Sequence, residues 1–239
     1  MPELALIPIA FFTSALAGAI GLGGGILLIT LMPGLVPVHA ILPLHAVTQF
    51  ASNGSRMWFG RGHISWSLIP AFTLGAIAGA WLGAEIYQDL NLHWLPSIMG
   101  VLILLITWVP VPKIRRGGPA ALVLLGFYQT GLGMLVGATG PLGAGVLRHY
   151  NSQRDWLVVN TAVYMSVNHL LRVVAFGLLG FVFSPWLWLL LGMIAASVLG
   201  SWAGTGLRSH ISQQLFQRLF KLLLSALAVR MILLPVLTV

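Results

Sequence analysis

Charged residues divide the chain into long apolar runs. No Asp, Glu, Lys or Arg occurs over residues 4–55, 90–112, 117–147 or 173–207. An α-helix needs about 20 mainly apolar residues to cross the hydrocarbon core of a bilayer, whereas membrane β-strands are shorter and alternate in polarity. The pattern therefore predicts an all-α polytopic membrane protein. Its predicted hydrophobic segments cover residues 4–33, 38–60, 66–86, 93–110, 119–147, 156–180, 184–206 and 215–238.

The composition excludes several classes of protein. Of the 239 residues, 58% are hydrophobic and only 7% are charged, whereas a soluble domain carries about 25% charged residues. The chain as a whole is therefore neither a soluble enzyme nor a nucleic-acid-binding domain. Its net charge of +8 suits contact with the surface of a lipid membrane. With no cysteine, no metal-ligand spacing and no phosphate-binding loop, the sequence predicts no metal site and no cofactor.

The first and fifth hydrophobic segments are unusually long and contain glycine clusters. The first contains Gly21-Leu22-Gly23-Gly24-Gly25, and the fifth contains Gly137-Ala138-Thr139-Gly140-Pro141. Glycine loosens a helix, and proline removes a backbone donor. A segment of about 30 residues exceeds one crossing of the membrane but is too short for two. Each segment is therefore predicted to form a re-entrant hairpin, or a broken helix that turns around within the membrane.

Similar features recur at a fixed distance along the chain. A shift of 116 residues places Ala46-Val47 on Ala162-Val163 and Arg56 on Arg172, and the glycine clusters lie at nearly the same shift. Rows of small residues at four-residue spacing recur in the third and seventh segments, where they favour close helix packing. This pattern is typical of secondary transporters built from two repeats. The predicted repeats, residues 1–116 and 117–239, form one integrated membrane domain.

The placement of charges predicts that the repeats are inverted. Basic residues follow the second, fourth and seventh segments, and the loop after the third segment is acidic. Lys and Arg are enriched in cytoplasmic loops. All three basic loops fall on the cytoplasmic side only if the first and fifth segments do not cross the membrane fully. Each repeat then has three crossings, so the repeats have opposite orientations and both termini lie outside.

The glycine clusters and their surroundings resemble a known family. Gly21-Leu22-Gly23-Gly24-Gly25, then Pro33, His45-Ala46-Val47-Thr48 and the basic stretch Arg56–Arg61 resemble the TauE/SafE sulfite exporters over essentially the whole chain. In the second half, residues 136–142 resemble the second repeat of one subgroup, although the family often repeats Gly-x-Gly-Gly-Gly there. The resemblance implies a multi-pass permease of the cell inner membrane, not an enzyme. Its substrate would be a small sulfur-containing anion such as sulfite, a sulfonate or sulfoacetate.

The chemistry of a broken helix also favours an anion. Its new N-terminus presents unpaired N–H groups with partial positive charge, and glycine lets an oxyanion approach the backbone closely. Hydroxyl, amide and basic side chains after each break supply further donors, although Ser and Thr often bond their own helix instead. The predicted substrate-binding residues are Gly23, Gly24, Gly25, Thr48, Gln49, Asn53, Gly137, Ala138, Thr139, Gly140, Thr161, Tyr164, Asn168, His169 and Arg172.

The basic side chains in these segments have competing interpretations. Arg172 follows 16 uncharged residues and precedes a run of 35. A charge at membrane depth faces a cavity or a partner, or its long stem carries it to the interface. For Arg172 both interpretations stay open, whereas for Arg56, at the flank of a predicted cytoplasmic loop, extension to the interface is favoured. Histidines near the breaks, including His45 and His169, are candidates to carry a coupling proton. A coupling proton and a coupling cation both stay open.

Three classes of function compete at this point. A secondary transporter for a small sulfur-containing anion accounts for the repeats and the broken segments. An anion channel, or a membrane subunit or scaffold without transport of its own, is the alternative. An intramembrane enzyme is disfavoured, because the sequence has no paired Asp residues, no His-Glu-x2-His and no Gly-x-Ser-x-Gly motif.

The predicted orientation can be tested with single cysteines, because the chain contains none. We expect a membrane-impermeant thiol reagent to label Asp89→Cys in intact cells, because that acidic loop is predicted to lie outside. Lys113→Cys and Arg208→Cys should be labelled only after the cells are opened. Labelling of Arg208→Cys in intact cells would contradict the model in which the first and fifth segments do not cross.

Overall fold

The regular structure of the described residues is helical. The computed structural model describes residues 1–21, 23–109, 118–207 and 213–237, and no β-strand forms within those ranges. The α-helices are α1 (Leu6–Ile20), α2 (Gly24–Leu31), α3 (Val38–Phe59), α4 (Ile69–Gln88), α5 (Leu95–Trp108), α6 (Pro119–Val136), α7 (Gly140–Leu147), α8 (Arg154–Leu178), α9 (Leu187–Gly206) and α10 (Gln213–Leu237). Short 3₁₀ turns lie at Pro2–Ala5, Arg61–His63, Trp66–Leu68, Leu92–Trp94 and Ser184–Trp186.

Several of the helices begin at a proline. Pro70, Pro96 and Pro119 lie in the first turns of α4, α5 and α6. The first N–H groups of a helix have no intrahelical acceptor, so proline loses nothing there, and its fixed φ suits the helix. Segments one and five of the prediction each contain two helices, and each of the other six segments contains one.

Five helical units in the described part of the chain are long and apolar enough to cross a membrane. They are Pro2–Ile20, Trp66–Gln88, Pro119–Val136, Arg154–Leu178 and Ser184–Gly206. Leu92–Trp108 is apolar but shorter, and α3, which is not among the five, carries a buried polar face. The chain is therefore a multi-pass membrane protein. Three crossings in each half stay a prediction, and the basic residues Lys113, Arg115, Arg116, Arg208 and His210 lie outside the described residues.

The main helix pairs join one half of the chain to the other. α4 packs along α6, α1 along α9, α5 along α10, and α3 against α8. In the two predicted repeats, α1 corresponds to α6, α3 to α8, α4 to α9 and α5 to α10. If each helix is replaced by its counterpart, the same four pairs result. The boundary predicted between residues 116 and 117 adjoins 110–117, which lie outside the described residues.

The rows of small residues bring helices of the two halves into close contact, as predicted. Gly79 of α4 lies directly against the main-chain carbonyl of Phe127 in α6. Gly200 of α9 lies in the same way against the carbonyl of Phe11 in α1. A Cβ atom at either glycine would overlap that carbonyl, so only a residue without a side chain permits this approach.

Both glycine clusters interrupt a helix and turn the chain back on itself. Gly21 and Gly23 have φ of 93° and 99°, and Gly137 has φ of 84°, a left-handed region that favours glycine. After the first turn, α2 lies beside α1, with Gly24 against the carbonyl of Thr13. After the second turn, Thr139 returns to α6, where its Oγ1 donates to the carbonyl of Gln129 at 2.9 Å. Each interrupted segment is thus a helical hairpin.

Gly204 and Gly206 provide a matched pair of substitutions in α9. A methyl group at Gly204 would overlap the carbonyl of Ala15, whereas Gly206 has open space around it. We expect Gly204→Ala to lower the thermal unfolding temperature of the detergent-solubilised protein, because overpacking costs about 1–3 kcal/mol. Gly206→Ala should leave that temperature unchanged. Equal unfolding temperatures for the two variants would contradict the close packing of α1 on α9.

Candidate functional site

The two helix breaks meet at one cavity. The cavity has a volume of about 380 Å³, which includes the open space at its mouth. Both breaks and two long helices, α3 and α8, contribute to its walls. The lining residues are Ala17, Gly21, Gly23, Gly24, Gly25, Ile26, His45, Gln49, Asn53, Arg56, Ala138, Gly140, Pro141, Thr161, Met165 and His169.

Equivalent faces of α3 and α8 form two walls of the cavity. The side chains involved are His45, Gln49, Asn53 and Arg56 of α3, and Thr161, Met165 and His169 of α8. Residues four apart share a face of a helix. The shift of 116 residues that relates the two predicted repeats carries 45, 49 and 53 onto 161, 165 and 169. The same positions of both halves thus face the same space.

The first turn of α2 supplies backbone donors to the cavity. The first intrahelical hydrogen bond of α2 runs from the N–H of Leu27 to the carbonyl of Gly23, at 3.0 Å. The N–H groups of Gly24, Gly25 and Ile26 precede it and have no acceptor within the helix. They carry the partial positive charge of a helix N-terminus, which favours an anion. α7 also begins at the cavity, but its Pro141 has no N–H to donate.

The cavity contains a cation and no carboxylate among its lining residues. Arg56 is only 6% exposed. Its Nη2 donates to Oδ1 of Asn53 at 2.6 Å, and its Nε donates to the carbonyl of Ser52 at 3.2 Å. Arg56 lies in the last turn of α3, and its side chain is buried and bonded to residues that precede it in the helix. The interpretation that this side chain extends from a loop to the membrane interface is therefore wrong.

The amide group of Gln49 is buried at the wall of the cavity. Its side chain is 2% exposed, and its Nε2 is buried without a hydrogen-bond partner. A buried donor without an acceptor costs about 1–3 kcal/mol, so this amide is a candidate to donate to a ligand in the cavity. Gly25 lies next to this amide: a Cβ there would be 2.9 Å from Gln49 Oε1.

Two histidines from the two halves meet at the cavity. The rings of His45 and His169 are 5.6 Å apart between centroids and nearly perpendicular. Nε2 of His45 lies 2.9 Å from the carbonyl of Gly25. A carbonyl only accepts, so this nitrogen carries the proton. In the described part of the chain, no group of three or more His, Cys, Asp or Glu residues is arranged to hold a metal ion.

The structure places most of the predicted binding residues at this cavity. Those that line it are Gly23, Gly24, Gly25, Gln49, Asn53, Ala138, Gly140, Thr161 and His169. The others do not line it. These are Thr48, Gly137, Thr139, Tyr164, Asn168 and Arg172.

Two of the residues that do not line the cavity serve helix packing. Thr48 donates to the carbonyl of Leu44 in its own helix at 2.8 Å, which is the common use of a buried helical threonine. Tyr164 stacks on Phe72, with ring centroids 4.3 Å apart and ring planes within 5° of parallel. Both share a helix with lining residues but lie on another face.

The remaining residues hold the second hairpin together. Thr139 and Asn168 both donate to the carbonyl of Gln129, at 2.9 and 3.0 Å. Arg172 is fully buried and donates from Nη1 to the carbonyl of Gly137 at 2.7 Å. Arg172 therefore does not extend to the membrane interface. These contacts tie α6, its break and α8 into one unit behind the cavity.

Sequence reasoning missed several lining residues. They are Ala17, Gly21, Ile26, His45, Arg56, Pro141 and Met165. A signal for His45 was present, because it lies one helical turn before Gln49 and is the repeat position of Thr161. The burial of Arg56 had no such signal, since the end of α3 was taken to be a loop flank.

The helices define a multi-pass membrane protein, and the cavity between its halves is lined by a cation and several hydrogen-bond donors. The model of the family described as sulfite exporter TauE/SafE matches residues 6–231, and the chain belongs to this family. Its members are transporters rather than enzymes, and membership implies a membrane permease for sulfite or a related anion. No curated protein and no solved structure matches the chain.

A substitution at Gly25 tests whether the amide of Gln49 contributes to anion binding. A methyl group at Gly25 would approach Gln49 Oε1 and Cδ to 2.9 and 3.2 Å, so the amide has to move. We expect Gly25→Ala to weaken sulfite binding by about tenfold, the value of one good hydrogen bond, in calorimetry on detergent-solubilised protein. Gly54→Ala, in α3 with open space around it, is the matched control. Unchanged affinity for sulfite in folded Gly25→Ala protein would show that the Gln49 amide does not bind it.

Proposed function

We propose that this protein is a secondary transporter that binds a small sulfur-containing anion in the cavity and moves it across the bacterial inner membrane. Sulfite, a sulfonate and sulfoacetate are the substrates of the proposed class. One observation carries the proposal: the donor end of α2 and Arg56 line the same cavity, whose lining residues include no carboxylate. Such a site attracts an oxyanion and disfavours a cation.

The donors around the cavity suit the oxygens of a sulfur oxyanion. Its oxygen atoms accept hydrogen bonds in several directions, and the cavity offers backbone N–H groups, the Gln49 amide, Arg56 and the His169 ring. Bonds to a charged acceptor are about twice as strong as neutral ones. The glycines at 23–25 keep the backbone free of side chains, which allows the oxygens to approach the N–H groups.

The relation between the halves supports alternating access. We infer that residues 1–116 and 117–239 are inverted repeats, because the helix pairs are unchanged when the halves are exchanged and the charge pattern requires an odd number of crossings in each. In transporters built this way, the site lies between the repeats and one repeat rocks against the other. The cavity has walls from both halves, as this mechanism requires.

The predicted site residues have two roles. The predicted residues that line the cavity bind the anion. His45 and Arg56, which line it but were not predicted to bind substrate, are added to them. The predicted residues off the cavity support the hairpins and α8. A proton or another cation is proposed as the coupling ion. Uptake into vesicles under an imposed gradient of each ion identifies it, because only the gradient of the coupling ion accelerates uptake.

Counterflow into proteoliposomes tests the transport cycle. Vesicles loaded with unlabelled sulfoacetate should take up labelled sulfoacetate faster than empty vesicles, because a carrier exchanges substrate across the membrane. Uptake that saturates and shows this exchange supports a carrier. Uptake without acceleration by internal substrate indicates a channel, and the absence of specific uptake and of binding indicates a membrane subunit that does not transport.

The sign of the substrate charge is tested by Gln49→Glu, which changes charge with almost no change of shape. A carboxylate in the cavity should repel the anion, and like charges in contact cost several kcal/mol. We therefore expect counterflow of sulfoacetate to fall by about a hundredfold or more. Gln88→Glu makes the same change at an exposed position at the end of α4 and should retain transport. Retained counterflow in Gln49→Glu would refute an anion bound at this cavity.

A further inference from the structure

Arg172 lies behind the cavity and is fully buried. Its Nη1 donates to the carbonyl of Gly137 at 2.7 Å and lies 3.0 Å from Nδ1 of His169. Gly137 is the C-cap of α6, directly after its last residue. The arginine therefore connects the second helix break to His169, a residue that lines the cavity.

The contact with Arg172 determines the tautomer of His169. A guanidinium group has donors and no acceptor, so Nδ1 of His169 must accept this hydrogen bond. In the neutral ring the proton is then on Nε2, which makes Nε2–H the donor that His169 offers. In the other tautomer, that nitrogen would present a lone pair and would repel an anion.

We propose that Arg172 is a positioning residue and that Arg56 is the cation that contacts the anion; this proposal rests on the function proposed above. Arg172 holds the carbonyl of Gly137 at the helix break and keeps His169 in the tautomer with Nε2–H. Its Nε and Nη2 have no hydrogen-bond partner, so direct contact with the anion is the competing arrangement that an experiment must separate.

The repeat supports this division of roles. Arg56 and Asn53 form a hydrogen-bonded pair three residues apart in α3, and Arg172 and His169 form the equivalent pair in α8. In the first half both members of the pair line the cavity, whereas in the second half only His169 does. The same i, i+3 pairing thus presents the guanidinium of Arg56 to the cavity from α3 and the imidazole N–H of His169 from α8.

A double-mutant cycle separates positioning from direct contact. Arg172→Met removes every donor while keeping most of the side-chain length, and His169→Asn introduces the residue found at the repeat position. We expect each change to weaken sulfite binding by about tenfold. If Arg172 acts through His169, the double variant should bind within about twofold of the weaker single variant. Effects that multiply to about a hundredfold would overturn the proposal.

Arg56 and Arg61 supply the controls for this cycle. Arg56→Met should weaken sulfite binding by about tenfold or more, and its effect should multiply with that of Arg172→Met, because independent sites are additive in free energy. Arg61→Met changes an exposed arginine that lies over the ring of Trp58 and should leave affinity unchanged. Arg172→Lys retains N–H donors, so it should restore part of the affinity lost in Arg172→Met.

NMR of the histidine side chains tests the effect of Arg172 on His169 independently of anion binding. In protein labelled with ¹⁵N-histidine, the His169 signals are those that disappear in His169→Asn. We expect the Nε2–H tautomer in the wild type and a mixture of tautomers in Arg172→Met. An Nδ1–H tautomer in the wild type would overturn the proposal. If the folded wild type binds neither sulfite nor sulfoacetate, the proposed function fails, while the spectra still decide whether Arg172 sets the His169 ring.

Discussion

The need to satisfy backbone polar groups away from water is the constraint on which this structure depends. Within a membrane protein, an interrupted helix is tolerated only where the freed N–H and C=O groups are enclosed by protein or face a polar cavity. The two breaks meet this need in different ways. The first turn of α2 faces the cavity, whereas the break after α6 is tied by Thr139 to Gln129 and by Gly137 to Arg172.

The glycine rows bring the first helix of each hairpin against the other half of the chain. α1 and α6, the first helices of the two hairpins, each pack along a helix of the other half, α9 and α4. Glycine at the crossings brings the backbones into direct contact, and this contact replaces the hydrophobic effect, which is weak between helices in lipid. The halves therefore interlock, and the cavity they share depends on both.

The two halves use equivalent positions for different chemistry. Arg56 and Arg172 lie at equivalent positions of the two predicted repeats, yet one lines the cavity and the other lies behind it. The break in the second half also contains proline, which removes a donor that the first break retains. The two sides of the cavity are therefore chemically unequal.

The sequence alone determined the helical segments, the two breaks and the packing role of the glycine rows, because each depends on local composition and spacing. It also indicated most of the residues that line the cavity, since glycines at a break and side chains at helical spacing predict a common face. Only the tertiary structure decided that both breaks share one cavity, that Thr48 and Tyr164 face away from it, and that Arg56 is enclosed while Arg172 supports the second hairpin. The physical reason is that the face of a helix that meets the cavity depends on packing against helices about a hundred residues away, which no local pattern records.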